Sequence, residues 1–305
     1  MKRAWFSLAL AAGCSFQHGA GGEVGGVDAA ADIDAQMIDG AGSDTPFATG
    51  PFGTPERVAI SSTIARDDDI TLTGDMLEIF FESDRVAVGQ SDIYTAKRAS
   101  VTDPWSTPTR IDELSTAYIE TSMEVSTDGL TMYFSSNRPP STTVDVFVTT
   151  RPNRSSPWTA PVMVSTISSM SDNDYNAQPW SDTVLFLGSA RLPASGGSDV
   201  YRSTRSSKSD VWGAPVVVPG LDSNRYEGEA FADATGAIWF TGDAAGDDDI
   251  WRAEPNGDGT FKPAQLVNEI CGADVENDPW LSPDGHTIYF TSTRSGSLDI
   301  YVAHR

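Results

Sequence analysis

One tripeptide pattern constrains this chain more than any other: Asp, then Ile or Val, then an aromatic residue. It occurs at Asp92-Ile93-Tyr94, Asp145-Val146-Phe147, Asp199-Val200-Tyr201, Asp249-Ile250-Trp251 and Asp299-Ile300-Tyr301, at spacings of 53, 54, 50 and 50 residues. A period near 50 in a sequence of short β signals marks a repeat architecture, and propeller blades are the β-rich form of that length. Ahead of each tripeptide lies an aromatic run: Ile79-Phe80-Phe81, Met132-Tyr133-Phe134, Val184-Leu185-Phe186, Ile238-Trp239-Phe240 and Ile288-Tyr289-Phe290. Such bulk suits strands packed on both faces between neighbouring sheets. Before each run comes a turn pair, Gly74-Asp75, Asp128-Gly129, Ser181-Asp182, Thr235-Gly236 or Asp284-Gly285, residues that tolerate the positive φ of tight hairpins.

A fourth strand is marked by an aromatic and a proline: Trp105 with Pro108, Trp158 with Pro161, Trp212 with Pro215 and Phe261 with Pro263. Proline cannot donate to a ladder and belongs on an edge, which fits the outermost strand of a blade. There are five sets of first to third strands, at about 67–98, 119–151, 174–205, 226–254 and 275–305, yet only four fourth strands follow a set. The fifth precedes them all, at Phe52-Gly53-Thr54-Pro55 running into Arg57-Val58-Ala59-Ile60-Ser61. The sequence therefore predicts an all-β, five-bladed propeller closed by pairing this N-terminal outer strand with the C-terminal blade, which leaves no open sheet edge.

The run Ser282-Pro283-Asp284-Gly285, Ile288-Tyr289-Phe290, Ser292, Arg294 and Asp299-Ile300-Tyr301 resembles the WD-like repeat of the TolB-type periplasmic propeller family. The resemblance covers residues 52 to 305 and implies the propeller fold and a place in the cell envelope.

The N-terminus points the same way. Lys2 and Arg3 precede a short apolar run from Trp5 to Ala12, and small residues close it, the order of a secretory signal. The run is well short of the roughly 20 apolar residues that span a bilayer. Leu10-Ala11-Ala12-Gly13-Cys14 resembles a bacterial lipoprotein box, which implies a signal over residues 1–14 and acylation at Cys14. Ser15 after it implies sorting to the outer membrane. Residues 15–50 hold six acidic residues, no Lys or Arg and no apolar periodicity, and read as a tether. As a flexible coil it would span on the order of 30 to 35 Å. The propeller domain is then 51–305. Without the signal, 18 basic residues face 43 acidic ones, a net charge of −25 that makes nucleic acid and anionic lipid headgroups poor partners. Cys271 has no partner for a disulfide if Cys14 is acylated, and with no nearby base it reads as an apolar filler.

In a propeller, the loops entering the inner strands gather at one mouth of the central channel with the loops between second and third strands. Aligning the repeats by their turns places Asp67, Glu120, Asn176, Glu227 and Glu276 at the starts of the innermost strands, so that four carboxylates and one amide ring the mouth. Like charges so close need compensation. Either each residue caps its own blade or the ring binds a cation, with calcium the candidate, or a Lys/Arg-bearing peptide of an envelope protein. Tyr118, Tyr175 and Tyr226 stand beside three ring members and have the amphipathic make-up of contact residues. Arg85, Arg138, Arg191 and Arg294 end four second strands, each expected to clasp an aspartate of the following third strand, whereas the fourth blade has Gly242-Asp243 and an acidic loop, Gly246-Asp247-Asp248-Asp249.

Catalytic signals are sparse. His18, His286 and His304 are the only histidines, which leaves no His-centred triad or His-rich metal site. Asn256-Gly257-Asp258-Gly259 lacks the remaining ligands of a calcium loop and reads as a turn. No phosphate-cradling loop or glycine-flanked nucleophilic serine is present. One enzyme class stays open beside the binding module: a polysaccharide-active, glycosidase-like protein using two channel-mouth carboxylates.

Overall fold

The computed structural model describes residues 46–62, 64–87, 90–192, 197–243 and 246–305. The signal, the lipidation residue Cys14 and nearly all of the tether lie outside the described residues.

Four blades are consecutive four-stranded antiparallel meanders. The first comprises β2 (Asp67–Leu72), β3 (Glu78–Ala87), β4 (Gln90–Lys97) and β5 (Thr109–Arg110). The second comprises β6 (Glu120–Val125), β7 (Thr131–Ser136), β8 (Asp145–Thr150) and β9 (Val162–Met163). The third runs β10 (Asp174–Pro179), β11 (Val184–Ser189), β12 (Asp199–Thr204), β13 (Val216–Val217), and the fourth β14 (Glu227–Ala232), β15 (Ile238–Gly242), β16 (Asp249–Ala253), β17 (Gln265–Leu266). The fifth has β18 (Glu276–Leu281), β19 (Thr287–Ser292) and β20 (Asp299–His304), and its outer strand is β1 (Glu56–Arg57) from the other end of the chain. Among the described residues there is no helix. The five-bladed propeller with an N-terminal closing strand is thus the observed fold.

The aromatic runs do what their bulk requires. Ile79, Phe80 and Phe81 are fully buried, and each blade's run packs across to its neighbour: Phe80 and Ile93 of the first blade share a core with Met132, Phe134 and Trp158 of the second. Trp212 of the third blade donates its indole N–H to the Tyr133 hydroxyl of the second at 3.1 Å. The inner strands β2, β6, β10, β14 and β18 touch in turn round the ring, and β18 returns to β2.

Closure is short in backbone and rich in side chains. Glu56 pairs with Val302 and Arg57 with Tyr301. Flanking bonds run from Gly53 N to His304 O and from Val58 N to Ile300 O, both 2.8 Å. Phe52, Val58 and Ile60 are buried in the cluster formed by the first, fourth and fifth blades. Packing begins slightly before the expected domain start, since Ala48 N donates to Asp284 O at 2.8 Å and Phe47 lies against the same cluster.

Removing residues 1–62 should therefore forfeit three buried side chains at about 1.5–3 kcal/mol each, together with the ladder on β20. Urea unfolding is expected to show a loss of at least about 5 kcal/mol or no cooperative transition, whereas removing residues 1–45 should leave the midpoint unchanged.

Candidate functional site

Where the inner strands begin, β2, β6, β14 and β18 start with Asp67, Glu120, Glu227 and Glu276, as the repeat alignment requires. The third blade differs: β10 begins with Asp174, and Asn176 lies two residues further in. The register makes the correction plain, because Asp67, Glu120, Asp174 and Glu276 face Ser83, Ser136, Ser189 and Ser292, respectively, on their second strands. Blade three's turn, Ser181-Asp182, lacks the glycine that the other four turns carry, and an alignment anchored there slips.

These mouth carboxylates are buried and occupied. Arg85 reaches Asp67 at 2.7 Å, Arg138 reaches Glu120 at 2.9 Å, Arg191 reaches Asp174 at 2.5 Å and Arg294 reaches Glu276 at 2.9 Å. The arginines thus clasp the first strand of their own blade, not the third-strand aspartates expected from the sequence. Each guanidinium also donates to a carbonyl just beyond the preceding blade's outer strand, those of Ile60, Leu114, Ile167 and Ile270. Its Nε rests on the serine two residues earlier, as Arg138 does on Ser136 at 3.1 Å. The carboxylates are therefore structural anchors that join adjacent blades. The fourth blade has no such arginine: Trp251 donates its indole N–H to Gly242 O at 3.1 Å, and Ser223 holds Glu227. Burial, with Asp199 of the third blade facing it, pushes the Glu227 carboxyl up to about 7.

The acidic locus lies two residues deeper. Every inner strand carries a bulge, so that Asp68 faces Glu82 but Thr71 faces Phe80, with equivalent shifts in the other four blades. The third residue of each strand adopts a left-handed conformation: Asp69 (φ 48°), Ser122 (48°), Asn176 (49°), Glu229 (50°) and Asp278 (54°). None is glycine, and such backbone is tolerated only where the surroundings impose it. The bulges turn these five side chains together into the central channel. Asp69, Ser122, Asn176 and Asp278 line one closely packed pocket with Ile70, Met123, Glu124 and Pro279. Carboxylate oxygens of Asp69, Glu229 and Asp278 all lie within 4.8 Å of one another.

Crowding of like charges shows in the protonation equilibria. Burial, then the charges of Glu229 and Asp69, holds the Asp278 carboxyl well above the ordinary range, and burial with Asp68 raises Asp69. Burial pushes Glu124 up to about 8 even though Thr71 donates to it at 3.2 Å. Two oxygens in the channel lining, Asp278 Oδ1 and Asn176 Oδ1, are buried with no donor. An unmet buried acceptor costs about 1–3 kcal/mol.

The three tyrosines separate. Tyr175 and Tyr226 are hydrogen-bonded to each other, and Tyr226 Oη lies 3.4 Å from Glu229 Oε1, which puts this pair at the channel. Tyr118 instead stays on an exposed loop, its backbone N–H bonded to Thr116 Oγ1 at 3.1 Å. A second group, Asp249, Cys271 and Glu276, is also close-set, but burial raises the Cys271 thiol and Arg294 holds Glu276, so both are poor ligands.

No family model and no curated protein matches the chain. Solved structures do. Zg3597, a family 117 glycoside hydrolase of Zobellia galactanivorans, is similar at 12% identity and TM-score 0.56, over 83% of this chain and 90% of that one. The α-L-arabinofuranosidase PaAbf62A of Podospora anserina is similar at 14% identity and TM-score 0.53, over 86% and 98%. TolB of Acinetobacter baumannii is similar at 14% identity and TM-score 0.46, over 78% of this chain and 55% of that one. At such identities the likeness to the two hydrolases speaks to the fold alone.

Two outcomes follow. Arg138→Ala strands a buried Glu120 and should cost about 3–5 kcal/mol in urea unfolding, with a clear part regained in the Arg138→Ala/Glu120→Gln pair. Because Glu124 titrates higher folded than unfolded, its contribution is fully present below its unfolded value near 4.5 and is lost as pH rises through about 8. Stability measured from about pH 5 to about 8 should fall, and less steeply in Glu124→Gln.

Proposed function

We propose that this chain is an exported, lipid-anchored binding module of the cell envelope, which receives a protein partner over the channel mouth. The observation that carries this reading is the apolar residues round that mouth. Ile64, Tyr118, Ile119 and Met170, on loops entering the inner strands, and Val86 and Leu192, by the turns between second and third strands, are all exposed. Ile64, Val86 and Leu192 are the extreme cases, at 91%, 64% and 86% exposure. All six lie on three successive blades at one end of the propeller. Exposed apolar groups gathered beside a polar centre are the make-up of a protein-interaction surface. The strong net negative charge of the chain favours a partner that presents a Lys- or Arg-bearing segment. The signal-like N-terminus and Cys14 supply export and the anchor, and the tether gives reach from the membrane.

The glycosidase-like alternative is less well supported by the same geometry. Four of the five mouth carboxylates are held by arginines, and the channel lining is packed closely enough to leave no cleft of the roughly 300–1,000 Å³ that small-molecule sites occupy. A lining so closely packed excludes a glycan.

A photo-crosslinking amino acid placed at Tyr118 or Leu192 in Gram-negative cells tests the reading. It should trap one envelope protein reproducibly, whereas the same group at Val216 on the outer strand β13 should not. Absence of a specific adduct at both mouth positions would sink the proposal.

A further inference from the structure

Five inner-strand bulges converge on one point of the channel, and what they bring there is a set of acceptors. Asp69 and Asp278 are 8% and 4% exposed, and their oxygens lie within 4.8 Å of each other and of Glu229. Asn176, 6% exposed, lines the same pocket. The donors that reach these groups leave acceptor capacity over. Asp278 Oδ2 takes Thr291 Oγ1 at 2.7 Å and the Asp69 N–H at 3.4 Å, and Asp69 Oδ2 takes Thr121 Oγ1. Asp278 Oδ1 and Asn176 Oδ1 have no donor at all, though they line the channel from blades on either side of Glu229. Arg66, on the loop entering β2, is engaged with Asp68 and Glu82 and leaves Asp69 uncompensated.

We propose that the channel holds a calcium ion, ligated by the carboxylates of Asp69, Glu229 and Asp278 and by the amide oxygen of Asn176. The donors are all oxygen, three charged and one neutral, the hard set that calcium takes and that zinc, which favours nitrogen and sulfur, does not. They come from four separate blades, an irregular cage suited to calcium's flexible coordination of six to eight oxygens and unsuited to the near-ideal octahedron magnesium demands. A divalent ion supplies the positive charge that the chain itself withholds, and it gives the two orphaned oxygens a partner. The strained bulges, which no glycine eases, are then the means by which five short strands present ligands inward. This inference deepens the binding-module reading by giving its channel a resident cation, and it rests on that reading only for its biological meaning.

The test uses the purified full chain after chelation and dialysis. Terbium, a luminescent calcium stand-in, should show tyrosine-sensitised emission through Tyr226, at one ion per chain, and calcium but not equimolar magnesium should displace it. Titration calorimetry with calcium should give the same stoichiometry. Asn176→Ala, which keeps every charge, should weaken calcium by about tenfold or more, and Asp69→Asn/Asp278→Asn should abolish binding. Asp258→Asn, in the turn before β17, should bind as the parent does. If the parent chain binds no calcium, or if both channel variants bind it undiminished, the proposal is overturned. Should the double variant fail to fold, Asn176→Ala decides alone. Loss of calcium binding with mouth crosslinks intact would remove the ion and keep the partner, and the reverse pattern would keep the ion and remove the partner.

Discussion

The propeller depends on arginine. Its outer strands are only two residues long, as in Thr109–Arg110 and Val162–Met163, so backbone ladders alone attach them weakly. In four of the five blades two guanidinium groups make up the difference at opposite ends. At the channel-mouth end, Arg85, Arg138, Arg191 and Arg294 join their own first strand to the carbonyl that follows the preceding blade's outer strand. At the other end, Arg98, Arg151, Arg205 and Arg305 donate to the carbonyls of Met76, Gly129, Asp182 and Gly285 in the hairpin turns. Each of these also covers the aromatic ahead of its outer strand, Trp105, Trp158, Trp212 or Phe52, at 3.9 to 4.4 Å from the ring centre. Planar, multidentate and permanently charged, arginine can hold a carboxylate, a carbonyl and a ring at once, which lysine cannot.

The fourth blade lacks both arginines. Gly242 stands where the other blades have serine, so by sequence position Ala244 replaces the first arginine and Pro255 the second. Its substitutes are weaker and more local: an indole N–H on Gly242 O, and the exposed pairs of Glu254 with Arg252 and Lys262. Exposed pairs of this kind contribute little to stability. The cost falls on Glu227, whose carboxyl faces Asp199 without a guanidinium from either blade's repeat position. The same inner strand carries Glu229 into the channel, so the least stapled blade is also one of those that build the acidic centre.

Sequence periodicity was enough for the fold because each strand type has its own chemical mark: Gly/Asp turns, aromatic runs, Asp-Ile-aromatic starts and proline edges. Even the closing strand was legible, since Phe52 and Pro55 keep the spacing of Trp105 and Pro108. The site was legible only in part. Four of the five mouth positions fall where the repeat puts them, but Asn176 belongs to the deeper ring and Asp174 to the mouth. The deeper ring left no signature because Asp, Ser, Asn, Glu and Asp at left-handed φ advertise nothing that an extended strand would not. The second set of arginines had a signal, a constant six-residue distance from the third-strand aspartate, as from Asp92 to Arg98 and from Asp299 to Arg305. Only the structure shows that these side chains reach back to the hairpins.

The pairing of Glu56 with Val302 sets an order on how the molecule comes into being. Four blades can form from contiguous chain, but the last must wait for its outer strand to be found across almost the whole sequence. The entropy of closing so long a loop is met in one late step, and contacts of such separation are slow to form. A chain emerging from its N-terminus first therefore carries an unpaired edge segment until its final residues are free. Completion of the ring thus acts as a length check: only a molecule that retains both β1 and β20 can hide its last edge.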